Sequence, residues 1–382
     1  MVDYSTVAPG VHLEEITPAG PVSGVGTSIA ALIGIPAAPP NGADAGRAVP
    51  VTSWNAYKST FGDLRAGLHL PYAVRGFFDN GGTLAYVVPV KAVDADGLDA
   101  ALDRLTRLPE VGLVCVPGLV DAGLQQDKVI KHCEDLQDRF AVLDGAQDAA
   151  PLQNDGPLLT QRGGLASGNG FGALYWPWIL IPNPDPAPPA TIAVPPSGHI
   201  AGVMARCDAT VGVHRAPANE LLRGAVGVEY TLNDTEQGVL NSRNINALRR
   251  FPGSPPVVWG ARTLTDGLPW RFVNVRRLVS YVEDSLVAGL RWAAFAPNTP
   301  ALWKGLDRSI SEFLTRVWES GGLFGRTAEE AFYVTVDESI NPEPVRQRGE
   351  VYIEIGLAVT RPAEHVVLRI GLWDGGATIS EA

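Results

Sequence analysis

The sequence predicts an α/β (α+β) chain of two domains with an extended arm at each end. Three observations carry that reading. Through the first half, short apolar runs of strand length alternate with helix-length segments, the order expected of a layered α/β domain. In the last third, two long amphipathic helices precede runs of strict apolar–polar alternation. At either end, proline and glycine set apart a short alternating stretch with no partner nearby in sequence.

In chain order, residues 1–24 read as an arm. Val11 and Leu13 point one way, His12 and Glu14 the other, and Ile16 closes this strand-like stretch among Pro9, Gly10, Pro18 and Gly20. Ile29–Ile35 is apolar throughout and predicts a buried strand. Trp54–Phe61 and Pro71–Asn80 predict helices, the second stopped by Gly81-Gly82. Further strands are expected over Leu84–Val90, Val111–Val116 and Phe140–Leu143, with helices over Asp99–Leu108 and Gln125–Arg139 between them. Tyr175–Ile181 predicts a strand, preceded by a glycine-dense loop over 163–172. Pro182–Pro196 predicts a surface excursion, since proline suits neither a helix nor a central strand. A second domain is expected from about Pro217.

There, Leu278, Tyr281, Val282, Leu286 and Leu290 recur at helical spacing over 277–295. Thr299-Pro300 is an N-cap with proline at the first helical position. It opens a helix with the stripe Trp303, Leu306, Ile310, Phe313, Val317, stopped by Gly321-Gly322. Phe332–Val336 and Val351–Val359 alternate with period two and predict antiparallel strands. After Pro362, Val366, Leu368, Ile370 and Leu372 share one side of a last strand.

The 382 residues with 46% hydrophobic and 19% charged content supply a sizeable core. A net charge of −11 argues against nucleic-acid binding, which needs a basic surface. Three widely spaced cysteines, Cys115, Cys133 and Cys207, predict buried free thiols in a reducing compartment. No secretory leader is expected at the N-terminus, and no apolar run reaches the ~18–20 residues of a membrane span.

Motifs of catalysis fail one by one. Gly24-Val25-Gly26 starts like a dinucleotide fingerprint, but Ile29 stands where the third glycine belongs. Ser167 lacks the flanking glycine of a nucleophile elbow, because Leu165 occupies that place. His132 and Cys133 are adjacent on a predicted helix and so face apart. The six histidines show no metal-ligand spacing. No catalytic, cofactor or metal residues are therefore expected. The rival expectation is an α/β enzyme or ligand-binding module whose site is assembled in space from distant residues.

The two end strands are unpaired hydrogen-bonding edges, a hazard for a monomer unless assembly is its purpose. They could complete sheets in neighbouring copies or fold back into their own domain, and the residues alone leave both open.

Longer blocks speak to that choice. Pro9-Gly-Val-His-Leu-Glu-Glu-Ile16 resembles the opening strand of the sheath proteins of contractile phage tails and related extracellular injection systems. Ala73–Gly82 with Ala85-Tyr-Val-Val88 is similar to that family's helix–GG–strand signature. Pro195–Val203, Asp208–Asn219, Asn244–Leu248, Val257–Thr263 and Val273–Leu278 resemble further sheath blocks in the same order, as do Phe332–Asp337 and Gly349–Glu364.

The resemblance implies a sheath subunit with residues 1–24 as N-terminal arm, 25–216 as outer domain, 217–360 as inner domain and 361–382 as C-terminal arm. It implies hexameric rings stacked around an inner tube, with baseplate and cap proteins as further partners and no enzyme activity. Contraction would drive the tube through a target envelope. Val11, Leu13 and Ile16 would form one inter-subunit strand, and Val366, Leu368, Ile370 and Leu372 the other. Val351, Ile353, Ile355 and Leu357 would belong to the acceptor sheet, and Lys304, Arg308 and Arg316 would face the tube. Assembly is expected in the bacterial cytoplasm, before the sheath becomes part of a virion tail or injection particle.

Overall fold

The computed structural model describes residues 22–40, 46–147, 156–185 and 188–365. They form two compact units, one of residues 27–280 continued from 359, the other of 22–26 with 281–358.

The larger unit is built on a nine-stranded sheet. Its strands are β1 (Ala30–Gly34), β2 (Val49–Val51), β3 (Ala85–Pro89), β4 (Leu113–Cys115), β5 (Phe140–Asp144), β6 (Gly172–Trp176), β9 (Glu220–Leu221), β11 (Ile245–Arg250) and β12 (Pro256–Val258). They lie in the order β2-β3-β1-β4-β5-β6-β11-β12-β9. The six strands from β3 to β11 run parallel, and β2, β12 and β9 pair antiparallel at the two ends. A three-stranded sheet of β10 (Gly227–Val228), β7 (Ile179–Pro182) and β8 (Thr191–Val194) lies beside it in sequence.

Strands β1 and β4 at the centre are apolar at every position because both faces are covered. Ala30 and Leu32 of β1 enter one core with α1 (Trp54–Phe61), α2 (Leu70–Asp79) and α7 (Ser197–Thr210). Ala31 and Ile33 enter the other, with α3 (Ala95–Leu105), α5 (Lys131–Leu136), α6 (Pro157–Gly163) and α8 (Asp234–Ser242). A short α4 (Ala122–Leu124) runs through a π-helical stretch, Gln125–Ile130, into α5. Local chemistry sets the starts: Ser53, Asp94 and Asp121 cap α1, α3 and α4, and Asn233 with Glu236 forms a capping box on α8.

Several expectations shift. Helix α3 begins four residues early, at Ala95, because Asp94 is its cap. The single strand expected over 175–181 is two, β6 and β7, in different sheets, divided at Pro177, which has no N–H to offer a ladder. The proline-rich excursion contains β8, at the edge of its sheet where proline is tolerated. The domain division near 217 is corrected: β11 pairs with β6 and carries β12 and β9 with it, so residues 217–280 belong to the larger unit.

The smaller unit takes the later part of α9 (Val273–Gly289), then α10 (Pro300–Glu319), α11 (Ala328–Ala331), β13 (Phe332–Thr335), α12 (Glu343–Gln347) and β14 (Glu354–Leu357). Helix α10 matches its expected bounds, and Thr299 accepts the Leu302 amide as cap. Its buried stripe is Leu302, Trp303, Leu306, Ile310, Phe313, Leu314 and Val317. Among the described residues no helix is long and apolar enough to cross a membrane.

Candidate assembly interface

Among the described residues the smaller unit holds a sheet of two strands. Strands β13 and β14 pair antiparallel, Phe332 opposite Leu357 and Val334 opposite Ile355 on one face, Tyr333 opposite Gly356 and Thr335 opposite Glu354 on the other. The first face is apolar and half-buried. On the second, Tyr333 lies so close over Gly356 that a Cβ there would fall 2.0 Å from its ring, and its hydroxyl donates to Glu354 at 2.9 Å. A side chain at 356 would have to push the Tyr333 ring aside.

Of the expected acceptor residues, Ile355 and Leu357 lie in β14. Val351 and Ile353 precede it and pack with Val336 on Leu302, Trp303 and Leu306 of α10. The strand is shorter than the alternation predicts because a side chain takes its place. Tyr352 N–H donates to Asn341 Oδ1 at 2.7 Å, and its carbonyl accepts from Asn341 Nδ2 at 2.9 Å.

Lys304 and Arg308 stand exposed on α10. Arg316 is engaged within the unit: its Nη2 donates to the Val22 carbonyl at 2.6 Å. That bond belongs to the root of the N-terminal segment. Val22 is 1% exposed and packs against Gly289, where a Cβ would meet its methyls at 2.7 Å. Val25 N–H donates to Ser285 Oγ. The arm residues Val11, Leu13 and Ile16 lie outside the described residues, as do Val366, Leu368, Ile370 and Leu372.

The root of the C-terminal segment sits in the larger unit. Thr360 O accepts from Asn274 Nδ2 at 3.2 Å. Glu364 takes a two-pronged contact from Arg262, at 2.8 and 2.6 Å, and a third bond from Asn241 at 3.1 Å. Burial acts to raise the Glu364 carboxyl, but the bonds from Arg262 and Asn241 and the Arg262 charge hold it below its ordinary range. A cleft of about 500 Å³ opens beside this root, lined by Trp259, Phe272, Asn219 and Gln237 among others. Sequence reasoning missed both roots, because the partners lie 294 and 102 residues apart.

A doubly wound sheet usually takes ligands where its strand order reverses, here beyond β1 and β4. That place is filled. Leu70 packs on Gly34, and the His69 ring sits where a Cβ on Gly118 would meet it at 2.3 Å and stacks edge-on with Trp178. Nearby, Asp144 at the end of β5 accepts from Gly118 N, Ser197 N and Ser197 Oγ. Burial outweighs these hydrogen bonds and leaves its carboxyl raised to about 6. The residues weighed for catalysis are engaged elsewhere. Ser167 Oγ donates to Glu134 and accepts from Phe171 N. Cys115, Cys133 and Cys207 are buried, and burial raises each thiol.

Comparison with known proteins completes the picture. Residues 92–264 match the family model for the phage tail sheath protein central domain, and 265–372 that for the phage tail sheath C-terminal domain. A putative prophage major tail sheath protein of Pseudomonas aeruginosa (strain UCBPP-PA14) is 28% identical over 231 residues, 58% of this chain and 57% of that protein. The tail sheath protein of Burkholderia phage BcepMu is 27% identical over 195 residues, 48% of this chain and 39% of its own. The chain thus spans about half the length or less of the curated relatives it matches. Among solved structures, the contracted helical sheath of the anti-feeding prophage is 30% identical with a TM-score of 0.80, covering 96% of this chain and 99% of that one. The contracted PVC sheath of an extracellular contractile injection system is 29% identical with a TM-score of 0.79, covering 96% and 98%.

Proposed function

Since this chain belongs to the contractile tail sheath family, we propose that it polymerises as stacked hexameric rings around an inner tube and shortens to drive that tube forward. The observation that carries the mechanism is the two-stranded sheet of the smaller unit. A two-stranded ribbon is marginal in water, and this one offers a half-buried apolar face with no third strand paired to it among the described residues. Strands from other copies complete it: Val11, Leu13 and Ile16 from one arm, Val366, Leu368, Ile370 and Leu372 from the other, with Val351, Ile353, Ile355 and Leu357 as acceptors. Backbone hydrogen bonds supply strength, and alternate side chains supply register. Each arm alone binds weakly after the ordering cost of about 1–2 kcal/mol per residue. Two arms per subunit reinforce each other through effective concentration.

In this reading the sheath works without a cofactor or catalytic centre, its energy residing in two packings of one interface set. Baseplate and cap proteins bound its ends. Lys304 and Arg308 on α10 face the tube; Arg316 is a weaker candidate, given its bond to Val22. The subunits assemble in the cytoplasm and the particle acts outside it.

Electron microscopy of the purified chain tests the proposal. Hollow tubes or hexameric rings are expected, and a chain that stays monomeric at high concentration would overturn it. Deleting residues 1–20 should abolish polymer while leaving the thermal unfolding of the core intact; polymers that persist would remove the N-terminal arm from the mechanism.

A further inference from the structure

Helix α9 stops at Gly289, and the chain reaches α10 through a short 3-10 turn, Arg291–Ala293, and then a tight turn. Ala294 has φ −61 and ψ 130, Phe295 has φ 66, and Ala296 N–H donates to Ala293 O at 3.1 Å. These are the marks of a type II turn, whose third position calls for glycine or asparagine. Here it holds phenylalanine, a bulky residue in the left-handed region, where such a side chain is an outlier. Its relative exposure is 105%.

The turn is built firmly. Ala293 N–H donates to Leu290 O, Asn298 Nδ2 donates to Glu350 O at 2.9 Å, and Trp303 Nε1 donates to Asn298 Oδ1 at 2.8 Å. Leu290, Ala293 and Ala296 pack on Leu302, Trp303 and Leu306, in the same cluster as Val336, Val351 and Ile353. Phe295 thus combines a strained backbone with an apolar side chain left in water. Both oppose folding, and neither is offset by a contact of that ring among the described residues. A residue that burdens its own fold has its use outside it.

We infer that Phe295 is an anchor by which one copy of this chain grips a second copy, through an apolar pocket that closes over its ring. Two observations favour a second copy as the occupant. The turn shares one cluster with Val351 and Ile353, two of the residues proposed as acceptors of exchanged strands. Six of the thirteen large apolar side chains that stand exposed among the described residues, Val287, Trp292, Phe295, Phe324, Tyr333 and Tyr352, belong to the smaller unit, which holds the minority of those residues. The inference rests on the reading of the chain as a self-assembling subunit and adds an anchor separate from the arms.

The test is Phe295→Gly in the full chain, with melting temperature and critical concentration for polymer measured together. Glycine suits the turn, so the melting temperature should stay level or rise. The critical concentration should rise about tenfold or more, as expected for an interface anchor. A fold that is no less stable combined with weaker assembly is the signature, since a side chain needed only by the fold would lower stability when removed. Polymer forming at the wild-type concentration would overturn the inference. So would unchanged polymer that no longer encloses the inner tube, which would assign the ring to the tube. The arms are intact in this variant, so its outcome is read independently of the 1–20 deletion.

Discussion

Asp208 and Arg277 form an ion pair that water hardly reaches, with side chains 7% and 3% exposed. Arg277 Nη1 donates to Asp208 Oδ1 at 3.0 Å and its Nη2 to Thr27 O at 3.1 Å, while Thr27 Oγ1 donates to Asp208 Oδ2 at 2.6 Å. Removing one partner strands the other charge in a dry site. Asp208→Ala should therefore lower stability by about 3–5 kcal/mol in denaturant unfolding. Asp208→Asn, which keeps a hydrogen-bonding group, should lose less. Glu364 makes a pH-dependent counterpart. Its folded carboxyl lies below the unfolded value, so its contribution is present above the unfolded carboxylate range and disappears as pH falls through the folded value. Amide protection over 360–365, corrected for the slower intrinsic exchange in acid, should fall on acidification, and Glu364→Gln should remove most of that pH dependence. None of these pairs was legible in the sequence, where a carboxylate carries no mark of its partner.

At the scale of elements, helices α2 and α7 meet through glycines. A Cβ at Gly198 would fall 2.4 Å from Ala73 O, and one at Gly202 2.4 Å from Phe77 O. Since the obstructing atoms are backbone, the helices would have to part. Gly202→Ala should lower stability by about 1–3 kcal/mol, measured by urea unfolding. The cap of α10 is a milder case: Thr299→Ala should remove about 1 kcal/mol. Most elements followed from period and punctuation, because an apolar run bounded by glycine or proline has few other uses. Helix α7 escaped. It is buried almost all round and rich in glycine and alanine, so it has no polar face to set its period. The turn at Phe295 escaped as well, because Ala-Ala-Phe-Ala holds none of the residues that announce a type II turn.

For the whole molecule, composition and block order indicated the family, but the partition of the chain needed the sheet. Residues 217–280 look like the start of something new, with fresh turns and a capping box. Parallel pairing of β11 with β6 nonetheless ties them to the first unit, and no local pattern encodes a partner strand 70 residues away. The larger unit contains every strand of its sheets between residues 27 and 280. Expressed alone, residues 27–280 should give a folded, monomeric protein with a cooperative melt. A molten or aggregated product would show that the remaining residues are needed to complete its core.

Val22 sits against Gly289 and receives its hydrogen bond from Arg316, 294 residues further on. During translation the first segment has no seat until most of the chain has been made. A ribosome-bound chain that has not yet reached α10 therefore lacks the donor to the Val22 carbonyl, while the larger unit can already have condensed. Synthesis order thus becomes a timer: the seat that α9 and α10 make for Val22 can form only after the strands of the larger unit have been made.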